Sequence, residues 1–99
     1  MNGTLIKSNG AEIPVHSEKE NFSLEEMYSL IGCEMVQVIY LADGKVMWLD
    51  EEAKLKVPNQ DNMPNLKATI LLREAGCIPG DIVLGNVLIT DEPKEDEEK

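Results

Sequence analysis

"EMVQVIYLADGKVMWLD" (residues 34–50) is the stretch that decides the fold. Two runs rich in Val, Ile, Met and aromatic residues flank Ala42, Asp43 and Gly44, so the stretch reads as an antiparallel hairpin. Both runs are apolar at successive positions as well as alternate ones, which predicts strands covered on both faces and central in a sheet. One face is expected to lie on helices. The other is expected to be partly covered, with a second subunit as a candidate cover.

The flanking sequence supplies the rest of the sheet and two helices. "GTLIK" (residues 3–7), Ser8-Asn9-Gly10 and "AEIPV" (residues 11–15) form a first hairpin on an Asn-Gly turn, and Pro14 assigns its second strand to an edge. Ser23 opens a helix with a capping box completed by Glu26. Leu24, Met27, Tyr28 and Ile31 fall on one face, and Gly32 is the stop. Asn65 caps a second helix, "LKATILLREA", which runs to Gly76. At about 100° per residue, Ala68, Leu71, Leu72 and Ala75 share one face, while Leu66 and Ile70 lie among Lys67, Arg73 and Glu74. That second apolar pair reads either as exposed aliphatics of the kind any protein carries or as a self-association surface. In "DIVLGNVLIT" (residues 81–90) Gly85-Asn86 either turns a short hairpin or marks a bulge in one long strand, and the single interrupted strand is the favoured reading. The expected fold is α+β: a mostly antiparallel sheet of about five strands with two helices packed on it over residues 1–90, and an acidic, flexible tail over residues 91–99.

Ninety-nine residues suffice for one hydrophobic core. The net charge of −10 is not confined to the tail: residues 91–99 hold six acids against two lysines, so the first ninety still carry −6. With one arginine and no basic block, direct nucleic-acid binding is not expected. An acidic surface instead suits solubility or a basic protein partner. Nothing at the N-terminus resembles a signal peptide and no apolar run approaches a membrane span, so a cytoplasmic location without membrane association is expected. Cys33 and Cys77 lack a Cys-x-x-Cys spacing and read as reduced, buried residues.

Chemistry is sparse. His16 is the sole histidine and has no neighbouring partner except Ser17, so neither a nucleophile-base pair nor a zinc site is expected. The acidic and amide-rich run "DEEAKLKVPNQDNMPN" (residues 50–65) is not an EF-hand: counted from Asn59, the sixth residue is Pro64 and the twelfth Ile70, where glycine and glutamate are required. No glycine-rich phosphate loop is present. The chain is therefore expected to be non-enzymatic, with no catalytic residue, metal or cofactor. Its best ligand-binding region combines amides, a helix N-terminus and a local reversal of charge sign. The candidate residues are Trp48, Lys54, Lys56, Asn59, Asn65, Lys67, Thr69 and Arg73, with Leu66 and Ile70 as the oligomer interface.

The ordered set "SLEEMYSLIGCEMVQVIYLADGKVMWLDEEAKLK", "PNLKATILL" and "GDIVLGNVLI" resembles the small phage and mobile-element proteins grouped as domain of unknown function 3846, from about residue 4 to residue 89. It departs at Ala53, where glycine usually follows "DEE". The resemblance implies a compact α+β domain in a phage, prophage or plasmid setting, acting in the cytoplasm of a bacterial host cell, and brings no catalytic residues. Association with that setting implies a counter-defence role. Two forms are expected: a homo-oligomeric sponge for a small nucleotide-like ligand, or an acidic inhibitor that blocks a basic host protein.

Overall fold

A computed structural model describes residues 1–41, 44–53, 63–76 and 82–92. Five strands, β1 (Asn2–Ile6), β2 (Glu12–His16), β3 (Val36–Tyr40), β4 (Lys45–Asp50) and β5 (Val87–Asp91), form one sheet in the order β2-β1-β5-β4-β3. Every neighbouring pair is antiparallel. Helices α1 (Leu24–Ile31) and α2 (Leu66–Glu74) complete the α+β fold.

The first hairpin closes through Lys7 N to Ala11 O (2.8 Å) and Gly10 N to Lys7 O (2.9 Å). The loop is thus three residues long, with Gly10 at φ 97°, a conformation that glycine adopts without steric penalty. Pro14 lies in β2, at the edge of the sheet as expected.

The central hairpin divides differently from its sequence reading. β4 is interior, between β3 and β5, and its Val46 and Met47 have no solvent exposure. Among the described residues β3 is the other edge strand. Its apolar residues on both faces come from packing against helices, not from a strand neighbour on each side.

Nor do the two helices share one face. Side chains alternate along β5: Val87 packs with Ile6, Met47, Ala68 and Leu72 beneath α2, whereas Leu88 packs with Phe22, Met27, Ile31 and Cys33 beneath α1. The molecule is a three-layer α/β/α arrangement. The partly uncovered second face expected from the sequence is covered by the chain's own helix, and each fully buried aliphatic contributes about 1.5–3 kcal/mol.

Local sequence explains both helices. Ser23 Oγ accepts from Glu26 N (3.1 Å), and Glu26 Oε1 accepts from Ser23 N (2.7 Å), while Gly32 at φ 84° ends α1. Met27 and Ile31 are buried, but Leu24 is exposed. Phe22, just before the cap, takes the core position at that end and packs in the same cluster as Met27, a hydrophobic staple. On α2, Ala68 and Leu72 face inward as expected.

The last strand is shorter than "DIVLGNVLIT" suggested. It starts at Val87, and Leu84 makes an isolated bridge with Pro64. Gly85, at φ 86°, lies between the bridge and the strand, and Asn86 Oδ1 accepts from Ser8 N (3.0 Å). Gly85-Asn86 is therefore neither a turn nor a bulge in a continuous strand. β5 also runs one residue beyond the expected domain end, to Asp91, which pairs with Lys45 at 2.6 Å.

Candidate ligand site

The segment before β5 is fastened to the start of α2. Asn65 N donates to Val83 O (2.8 Å), Gly85 N donates to Met63 O (2.9 Å), and Thr69 Oγ1 accepts from Val83 N (2.9 Å). At the other side, β4 ends where Glu51 N donates to Met35 O (3.0 Å) and Asp50 Oδ1 accepts from Glu52 N (2.9 Å). Between these two fixed borders lies a partly enclosed cavity of about 180 Å³ on the α2 side of the sheet. Its apolar lining comes from Ile39, Leu49, Ala53, Leu72 and residues 82–84. Gln37, Asp50 and Glu51 supply the polar lining. An apolar hollow with a few convergent polar groups is the usual form of a small-molecule site.

Among the described residues the lining contains no cation. Asp50 follows Leu49 along β4, so its side chain is directed toward the α1 face and not into the cavity. The Gln37 amide, on the α2 face with Ile39, can both donate and accept a hydrogen bond.

The residues expected to bind a ligand do not converge here. Asn65 is 1% exposed. Its amide donates to Ile6 O (3.0 Å) and Gly85 O (2.8 Å), and its Oδ1 accepts from Ala68 N (3.1 Å). Thr69 is also buried, donating to Asn65 O (2.9 Å) while holding Val83 N. These polar atoms are engaged inside the protein, so the reason for their polarity is structural. Trp48 lies on the opposite face, packed beneath α1 with its Nε1 donating to Thr90 Oγ1 (3.1 Å). Lys67 turns toward the first hairpin, reaching Gly10 O (2.7 Å) and Glu12 Oε2 (2.8 Å). Arg73 is exposed near the end of α2. Lys54, Lys56, Asn59 and Cys77 lie outside the described residues.

Leu66 and Ile70 are 67% and 51% exposed, and Met63 is exposed just before the cap. Gln37 and Leu49, neither of them singled out by the sequence reading, line the cavity. The signal available for Gln37 was its place as the lone polar residue in "VQVIY", two positions from Ile39 and hence on the same face.

An acidic corner that adjoins the cavity through Asp50 and Glu51 groups them with Glu34 and Glu52 where β3 begins and β4 ends, close to the C-terminus of α1. Among the described residues no group of three or more His, Cys, Asp or Glu is arranged to hold a metal ion, and no helix is long and apolar enough to cross a membrane.

No curated protein and no solved structure matches the chain. The family model described as Domain of unknown function (DUF3846) matches it over residues 1–99. By that match the chain belongs to the DUF3846 family.

Proposed function

We propose that this protein is a non-enzymatic, self-associating binder of a small nucleotide-derived ligand, acting as a counter-defence accessory protein of a phage or other mobile element. The observation that supports binding is the cavity between the β3-β4 hairpin and α2, apolar with Gln37 and Glu51 at its border. A lining without a cation among the described residues favours the base of such a ligand over its phosphates. Support for self-association comes from Leu66 and Ile70, an apolar pair on the outer side of α2 that has no role in covering the protomer's own sheet. The genetic setting and the cytoplasmic location are part of the proposal and rest on family association.

Protein purified from bacteria carrying defence systems is weighed under native conditions, then denatured, and the released small molecules are identified by mass spectrometry. A nucleotide derivative released in stoichiometric amount supports the reading. Replacing Leu66 and Ile70 together by lysine is expected to reduce the native mass.

The acidic corner favours a second reading, inhibition of a basic host protein. In that case the protein releases no small molecule but retains a basic partner, and raising the salt concentration dissociates it.

A further inference from the structure

The two edges of the sheet differ in the way that matters for association. β2 carries Glu12 and Pro14, both of which discourage a further strand. β3 reads "VQVIY", without charge or proline. Glu51 N to Met35 O and Leu41 N to Lys45 O place the odd-numbered residues of β3 in the hydrogen-bonded positions against β4. Val36 and Val38 therefore direct their N–H and C=O groups away from the sheet.

We infer that β3 pairs with β3 of a second copy, antiparallel about a two-fold axis at Gln37, and that this pairing joins the two protomers' cavities into one site. In this register Val36 of each copy faces Val38 of the other, and their outward groups form four hydrogen bonds. Met35, exposed in the protomer, comes opposite Ile39 of the second copy. Gln37 meets its own counterpart, so the two amides lie side by side. Every one of these pairs is apolar on apolar or amide on amide, and none sets like charges together.

The consequence for binding follows from the axis, which stands perpendicular to the sheet and so keeps both α2 faces on one side. Gln37 and Ile39 line the cavity and also form the sheet edge, which places the two cavities next to each other across the axis. One cavity of about 180 Å³ is small for a nucleotide. Two together reach the lower end of the roughly 300–1,000 Å³ typical of ligand sites. The joined site suits a ligand with two similar halves, or two ligands side by side. This inference rests on the proposed ligand-binding role for its chemistry, but the pairing itself does not depend on it.

Two measurements test it. Gln37→Cys is expected to cross-link to itself under mild oxidation, giving a disulfide dimer absent from wild type, while Val38→Cys, whose side chain is on the other face and opposite Val36, does not. Val38→Pro removes an outward N–H without touching the β3-β4 ladder or the cavity lining, and is expected to halve the native mass. A Gln37→Cys protein that stays monomeric on a denaturing gel, or cross-linking by Val38→Cys instead, overturns the pairing. So does an unchanged mass for Val38→Pro. If wild type releases a bound nucleotide derivative while these tests fail, the ligand reading survives and the shared site is wrong. If they succeed and nothing is released, the pairing stands and the ligand reading is wrong.

Discussion

Asn65 provides a test in which two accounts of one residue predict opposite results. As a helix cap alone, Asn65 is equivalent to aspartate, because the two rank together at that position, and Asn65→Asp should be nearly neutral. In the structure the amide nitrogen does more than the capping oxygen: it donates to Ile6 O at 3.0 Å and to Gly85 O at 2.8 Å, tying α2 to β1 and to the approach to β5. With the side chain 1% exposed, water has no access to replace those donors. Asn65→Ala loses the cap, about 1 kcal/mol, and leaves two buried carbonyls short of a partner, about 1–3 kcal/mol each at most. Both carbonyls retain capacity elsewhere, so a total of about 3 kcal/mol is expected, a large part of the roughly 5–15 kcal/mol available to a small domain. Asn65→Asp keeps the bond from Ala68 N but sets a carboxylate against two carbonyl oxygens, and should be at least as destabilising as alanine. Urea unfolding followed by the fluorescence of Trp48, the single tryptophan, measures both variants. An Asn65→Asp protein within about 0.5 kcal/mol of wild type would refute this account and restore the simple cap.

Glu26 is held below its usual carboxyl pKa, chiefly by the Ser23 backbone N–H, with Ser17 Oγ, Ser23 Oγ and Lys19 adding to the effect and burial opposing it. A lowered folded pKa means stability present above the unfolded value and lost as pH falls through the folded one, so Glu26→Gln should flatten the acid limb of the stability curve. At Gly3 an added Cβ would meet Ile89 O at 3.0 Å and Thr90 Cγ2 at 3.1 Å, and Gly3→Ala is expected to lower stability by about 1–3 kcal/mol in the same urea assay. Because Trp48 lies on the α1 face, a ligand filling the cavity on the α2 face should leave its emission maximum unchanged; a shift of several nanometres on saturation would contradict the location of the site. Lys67→Ala removes an ion pair whose partners are both about half exposed, and the change in unfolding free energy should not exceed about 1 kcal/mol.

How far the sequence reveals this molecule depends on the distance over which each signal acts. The capping box of α1 is visible because Ser23 and Glu26 are three residues apart, and the hairpins are visible because their turns are local. The assignment of α1 and α2 to opposite faces was not visible, since helical periodicity identifies an apolar side without saying which face of a sheet receives it. For Asn65 the cap is local, whereas its amide partners at Ile6 and Gly85 are 59 and 20 residues away. Its polarity therefore looked like surface chemistry. Lys67 shows the same effect, with its partner Glu12 on the first hairpin. Gln37 is hidden for the opposite reason: one amide in an apolar strand gives little hint that both a cavity and a sheet edge are there.

The strand order also constrains how the chain reaches its native state. β5 follows all the other strands in sequence, yet it sits in the middle of the sheet, between β1 and β4. During synthesis the two hairpins emerge early, each able to form locally, but among the described residues no strand of one pairs with a strand of the other. They remain two separate pieces, each with an open inner edge, until residues 87–91 leave the ribosome and insert between them. Such a topology depends on contacts distant in sequence, which slows folding. Transient exposure of strand edges before that step also favours aggregation. A ribosome-bound chain stopped before Val87 should accordingly remain protease-sensitive throughout, with protection appearing in one step once β5 is free to insert.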